Sequence, residues 1–241
     1  MKIMKLLAEK GRDRWGKKSP TIAFLGDSVT QGCFELYTKN DGSIETVFDK
    51  NSTYHGYLFR ILTELYPETT VNIINAGISG DRAPLGAERL QRDVLDFSPD
   101  LTVVCYGLND NGWGMENLHL YTDALDDIFT RLKAAGGEVI FMTPNMQNTE
   151  ISCHLTDEKH KNIAKGTMEN QLSGNLDRYL DAAKALAQKH GVKVCDVYAK
   201  WKKLYEYGVD VTELLSNKIN HPTREMNWLF ANSLFETMLE D

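Results

Sequence analysis

Five short apolar runs recur along the chain, at Thr21–Leu25, Thr70–Ile74, Leu101–Tyr106, Glu138–Met142 and Val192–Val197. Each is about strand length, rich in β-branched residues and apolar on both parities, the pattern of strands buried on both faces of a parallel sheet. Between and after them lie stretches with apolar residues at helical spacing. Tyr57–Tyr66 carries Leu58, Ile61, Leu62 and Leu65, and Leu118–Ala135 carries Leu125, Ile128, Phe129 and Leu132. Leu172–His190 carries Leu176, Tyr179, Leu180, Ala183 and Leu186, and Arg224–Leu239 carries Met226, Phe230, Leu234 and Met238. Gly136, Gly137 and Gly191 fall where a helix hands over to a strand and a left-handed C-cap is needed. This alternation predicts an α/β fold, one parallel sheet with helices on both faces and right-handed crossovers, as a single domain over residues 1–241.

Two stretches break the rhythm. Residues 35–54 form a long polar connection without a clear period, and residues 144–171 a longer one containing SCHLTDEKH. Connections of this length in a compact domain usually carry function. In open parallel sheets the ligand site lies outside the carboxyl ends of the strands, so both are expected to be long loops that wall or cover it. Residues 1–18 read as an N-terminal extension.

Composition removes several classes of function. With 42% hydrophobic and 25% charged residues in 241, the chain can bury a core without staples. A net charge of −7, from 27 basic and 34 acidic side chains, gives no electrostatic case for a nucleic-acid partner. No apolar run is long enough to span a membrane, and the first residues lack the pattern of a signal peptide. Cys33, Cys105, Cys153 and Cys195 form no CxxC pair, so no zinc or other metal site is expected and a reduced, cytoplasmic protein is the simplest reading.

The residues that follow the strands carry the chemistry. The first strand is followed by Gly26-Asp27-Ser28-Val29, a sharp turn that can present a hydroxyl at the sheet edge. The second is followed by Asn75-Ala76-Gly77-Ile78-Ser79-Gly80-Asp81, whose glycines let backbone N–H groups face a ligand. After the third comes Gly107-Leu108-Asn109-Asp110, where an Asn amide can donate, and near the C-terminus stands Asn220-His221-Pro222. Each alone has a plain structural reading as a turn, an Asx cap or a solvated imidazole. Together they supply a hydroxyl, an imidazole and two kinds of donor on one rim, which is what acyl transfer needs.

In order and spacing, GDSV, NAGISGD, GLND and NHP resemble blocks I, II, III and V of the SGNH hydrolases, also called GDSL esterases and lipases, over about four fifths of the chain. The nucleophile elbow of the α/β-hydrolases is absent around Ser28. The resemblance implies a flavodoxin-like three-layer αβα sandwich with a five-stranded parallel sheet. It implies a serine esterase that works through an acyl-enzyme without a cofactor. By the same resemblance Ser28 is the nucleophile, His221 the general base, and the Ser28 N–H, the Gly80 N–H and the Asn109 side chain form the oxyanion hole.

One position departs from the pattern. The family usually places Asp three residues before the histidine, where this chain has Lys218. A lysine cannot accept a hydrogen bond from imidazole. Either Asn217, one residue further back, or a backbone carbonyl is left to orient the ring, and Lys218 is expected to point to solvent. Asp27 and Trp113 border the substrate space, with Asp27 also tying its turn together. Trp113, Tyr37, Tyr54 and Tyr57 are candidates to stack on a sugar ring. The polar long loops favour a short acyl group, so the expected partner is a small-molecule ester, including a carbohydrate O-acetyl ester. The alternatives are a non-catalytic or acyl-transferring relative of the family, or a flavodoxin-like binding module. The sequence does not set the oligomeric state.

Overall fold

The computed structural model describes residues 1–240; Asp241, the last residue of the expected domain, lies outside them. In chain order the elements are α1 (Lys2–Arg12), β1 (Thr21–Gly26), α2 (Ser28–Gln31), β2 (Cys33–Thr38), β3 (Ile44–Phe48), α3 (Tyr54–Leu65), β4 (Asn72–Gly77) and α4 (Ala83–Asp93). They continue with β5 (Leu101–Cys105), α5 (Leu118–Ala134), β6 (Glu138–Met142), α6 (Glu158–Leu172), α7 (Asn175–His190), β7 (Lys193–Cys195), α8 (Val197–Glu206) and α9 (Asn227–Leu239).

The main sheet has the order β4-β1-β5-β6-β7 with every pairing parallel. That is the doubly wound, flavodoxin-like order, in which the chain reverses direction beside the first strand. The central strands β1 and β5 are buried throughout, as runs apolar on both parities require. The edge strands β4 and β7 are half exposed. On one side α3 packs against α9, which also meets α1 and α8; on the other α4 packs against α5 and α5 against α7. A continuous core runs between these layers, from Ile22, Phe24, Val103 and Phe141 to Leu58, Leu125, Leu180 and Phe230.

Both expected loops contain regular structure. Residues 35–54 hold most of an antiparallel hairpin, β2 with β3. Only Cys33, Phe34 and Thr46 of this ribbon are buried, too few to set an apolar alternation along the two strands. Residues 144–171 hold most of α6, whose buried residues are His160, Ala164 and Gln171. A helix that turns polar side chains inward has no apolar period to detect. The same cause hides α4, which buries Arg89 beside Ala83, Gly86 and Leu90. The expected helix from Leu172 starts instead at Asn175, because Gly174 is left-handed at φ 74° and separates α6 from α7. The fifth strand stops at Cys195, where the Asp196 side chain caps α8. Within the expected extension lies α1, anchored through Ile3 and Leu7.

Candidate active site

Strand β1 ends at Gly26, and the Asp27 carboxylate accepts a hydrogen bond from Val29 N at 3.0 Å, capping the single turn of α2. Ser28 opens that turn and is 3% exposed. The turn lies hard against β4: a Cβ on Gly77 would come 2.3 Å from Gln31 N, so only glycine lets the two backbones meet. Asp27 is 1% exposed, and burial raises its carboxyl to about 7. Its carboxylate caps the turn that carries Ser28, the tying role expected of it.

The segment after β4 is tied to this turn from both sides. Ser79 N donates to the Gln31 side chain at 2.7 Å, and Ile78 N to Gly26 O at 3.1 Å. Gly80 is left-handed at φ 78°, and its N–H takes no acceptor among the described residues. Below it the buried Asp81 carboxylate receives Arg89 Nε at 2.9 Å and Tyr106 Oη at 2.8 Å. Arg89 also donates to Ala76 O at 2.7 Å and Gly26 O at 3.1 Å, so one guanidinium pins the ends of β1 and β4. Asn109 Nδ2 donates to Asp81 O at 2.9 Å, which leaves the second amide hydrogen for a ligand.

His221 enters from the segment before α9. Its Nε2 lies 2.9 Å from Ser28 Oγ and its Nδ1 2.8 Å from the carbonyl oxygen of Phe34. A carbonyl only accepts, so Nδ1 carries the proton and Nε2 turns its lone pair to the serine. Burial lowers the imidazole to about 4, against the opposing pull of the Phe34 carbonyl and the Glu35 charge. Such a ring is neutral at pH 7 and ready to take a proton.

Asn217 does not touch the imidazole. Its Oδ1 accepts from the backbone N–H of Ile219, Asn220 and His221 at 3.0, 2.9 and 2.9 Å, and its Nδ2 donates to Asn220 Oδ1. It builds the turn that delivers His221, while the alternative orienter, a backbone carbonyl, faces the ring. Lys218 adopts φ 58° and turns its ammonium to the Glu213 carboxylate at 2.8 Å, not to open solvent.

The aromatic candidates separate. Tyr54 is fully buried and bonded to Thr30, and Tyr57 stacks on Trp228, so neither is open to a sugar. Trp113 has one ring face taken by the Arg82 guanidinium, 4.4 Å from its centre. Tyr37 is 45% exposed on the hairpin. Sequence reasoning missed Phe34, Glu35, Arg224, Arg89 and Tyr106. A backbone acceptor leaves no residue signature, and the arginines gave no sign of being inward. Among the described residues no group of three His, Cys, Asp or Glu side chains could hold a metal ion, and no helix is long and apolar enough to cross a membrane.

The profile of the GDSL-like lipase/acylhydrolase family matches residues 24–229. An acetylxylan esterase from Geobacillus stearothermophilus is 29% identical over 133 residues, 51% of this chain and 58% of that protein, so the chain matches little more than half of that relative's length. Among solved structures, an acetylxylan esterase from the same organism superposes with a TM-score of 0.65 at 20% identity, covering 92% of this chain and 95% of the other. An α/β hydrolase enzyme from the metagenome of Lake Arreo, Spain, gives 0.66 at 21% identity, covering 91% and 96%. The structures share the fold, and the profile covers all four segments that form the site: the chain belongs to the GDSL-like lipase/acylhydrolase family.

Proposed function

We propose that this chain is a serine esterase that hydrolyses a short-chain carboxylic ester, of the carbohydrate O-acetyl kind, through an acyl-enzyme. The observation that carries the reading is the pair itself: Ser28 Oγ at 2.9 Å from Nε2 of a neutral imidazole whose other nitrogen is fixed by Phe34 O. Ser28 Oγ attacks the ester carbonyl while His221 Nε2 takes its proton. The oxyanion that forms faces the N–H groups of Ser28 and Gly80 and the remaining hydrogen of Asn109 Nδ2. Collapse of the tetrahedral intermediate breaks the bond to the alcohol, which leaves with the proton from His221. Water then attacks the acyl-serine with His221 again as base, releasing the acid. The relatives named for acetylated xylan support the acetyl and carbohydrate parts of this reading.

The test is a series of p-nitrophenyl esters from acetate upward with wild type and Ser28→Ala, alongside intact-mass measurement during turnover. The expected result is highest kcat/KM on acetate, a mass increase of one acyl group, and neither in the folded variant. Wild-type turnover by folded Ser28→Ala would remove the serine from the mechanism.

A further inference from the structure

Arg89, Arg224 and Arg82 border the segments that build the proposed acyl-transfer site, and the first two are neutralised. Arg89 pairs with Asp81 and Asp93, and Arg224 with Glu35 and Asp49. Arg82 is different. It is half-buried, and among the described residues no carboxylate lies within ion-pair distance of it. Its Nε donates to Asn109 O at 3.0 Å, and its guanidinium lies 4.4 Å from the centre of the Trp113 ring. A carbonyl and a ring face orient a cation without cancelling its charge.

The place of this charge gives it a use. Asn109 meets Arg82 through its backbone carbonyl and keeps one amide hydrogen for the oxyanion of the proposed mechanism. A single residue thus stands between the cation and the negative charge that would develop. The neighbouring carboxylates work the other way. Asp110 is fully buried and accepts from Ala83 N at 2.9 Å and Gly107 N at 3.0 Å, and Asp27 is buried under the Ser28 turn. Burial pushes both carboxyls up to about 7, while their backbone N–H partners, and for Asp110 also the Arg82 charge, pull them down. Whatever part of them stays ionised at neutral pH opposes an oxyanion. Asp81 is already balanced by Arg89. Arg82 is the only basic residue in residues 77–83 and 107–113, so on these two segments it alone can offset that charge. A unit charge several ångströms from a developing one, at the intermediate dielectric of a half-buried site, changes a rate by about 5- to 30-fold.

We propose that Arg82 supplies the positive charge that favours the oxyanion, acting at a distance through its field and not by touching the substrate. The proposal rests on the esterase reading of Ser28 and His221. The experiment uses wild type, Arg82→Gln and Arg82→Lys. It measures kcat and KM on p-nitrophenyl acetate and the inhibition constant of methylboronic acid. That probe is neutral in solution and becomes a tetrahedral anion when Ser28 Oγ bonds to boron and the serine proton passes to His221. Arg82 stands at the start of α4 without a side-chain capping bond, so both variants should fold, and thermal melting of each checks this. Arg82→Gln should lower kcat about 5- to 30-fold and weaken the boronic acid by a similar factor, with KM near wild type. Arg82→Lys loses the fork but keeps the cation, so it should retain about half or more of both. Wild-type values in Arg82→Gln overturn the proposal. Equal losses in the two variants also overturn it, because the fork would then be aiming Asn109 while the charge is idle. So does a change confined to KM, which would make Arg82 a substrate contact. In all three cases the esterase reading stands. A wild type that neither turns over p-nitrophenyl acetate nor binds the boronic acid overturns the esterase reading and the proposal with it.

Discussion

The Nδ1 atom of His221 faces the carbonyl oxygen of Phe34 at 2.8 Å, so a strand of the β2–β3 hairpin holds the imidazole where a carboxylate commonly does. A carbonyl fixes the tautomer as well as a carboxylate, but it brings only a dipole to the imidazolium that the proposed mechanism forms. Glu35, the next residue, adds a full charge at longer range. Arg224 ties this strand to the chain before α9: it donates to Glu35 at 2.6 Å and Asp49 at 3.0 Å, and its guanidinium lies 4.3 Å from the Phe34 ring centre.

Arg224→Ala should therefore lower kcat on p-nitrophenyl acetate on the order of 10- to 100-fold with little change in KM, because it frees the peptide that aims the base. The ion pairs are partly exposed, so stability should fall by only about 1 kcal/mol in denaturant unfolding. Arg224→Lys should recover little, since an ammonium cannot bridge two carboxylates and cover a ring with the same fork. A kcat equal to wild type in the alanine variant would remove Arg224 from the positioning of His221.

The depressed His221 gives two pH signatures. Wild type should keep most of its plateau kcat/KM at pH 5, where a histidine near 6.5 would be largely protonated. Asp27, raised to about 7 beneath the same turn, titrates in this window too, so Asp27→Asn should be profiled beside wild type. Stability carries the second signature. Between the unfolded value near 6.5 and the folded value near 4, the unfolded chain binds a proton at this ring that the folded chain does not. The ring's contribution therefore weakens folding as pH falls from about 6.5 toward 4 and is constant below that. Replacing the ring removes this part of the slope, so His221→Asn should lose less stability than wild type between pH 7.5 and 5 in urea titrations. Equal losses would place the ring's folded value near its ordinary one.

Asn217 should matter through the backbone. Asn217→Ala strands three N–H groups on the turn that presents His221, and should cost about 1–3 kcal/mol and lower kcat together. Asn217→Asp keeps the acceptor oxygen and should restore most of both. A role as ring partner would show a different pattern, a loss in kcat at unchanged stability.

These residues mark where the sequence was legible. Runs such as Leu101–Tyr106 announce central strands because burial on both faces leaves no room for polar side chains. The order of Ser28, Gly80, Asn109 and His221 was readable because each follows a strand or precedes a helix at the same rim. Phe34 was not, because its contribution is a carbonyl that every residue possesses. Helix α6 was hidden by inward His160 and Gln171, and α4 by inward Arg89, since hydropathy reads a buried, partnered polar group as surface. The hairpin was hidden because it buries only Cys33, Phe34 and Thr46 and so needs no sustained apolar pattern.

The network under the oxyanion segment gives the last prediction. Gly80 can present its N–H only if the segment from Ile78 to Asp81 is held still, and the described structure holds it from below through one carboxylate. Asp81 Oδ2 receives both Arg89 and Tyr106, and Asp81 O receives Asn109 Nδ2, so two of the three proposed oxyanion donors hang on this residue. Removing a donor itself, as in Asn109→Ala, should cost on the order of 10²–10³ in kcat. Loosening the support should cost less but in the same parameter: Tyr106→Phe and Asp81→Asn should each lower kcat about fivefold to fiftyfold while KM for p-nitrophenyl acetate stays near wild type. Arg89→Ala is the wrong probe for activity, because it leaves a buried carboxylate without its cation and should cost about 3–5 kcal/mol of stability. The network is tested by combining variants. If Asp81 acts by aiming Asn109, Asp81→Asn should add little to Asn109→Ala, whereas losses that multiply fully would mean that the carboxylate does not act through Asn109.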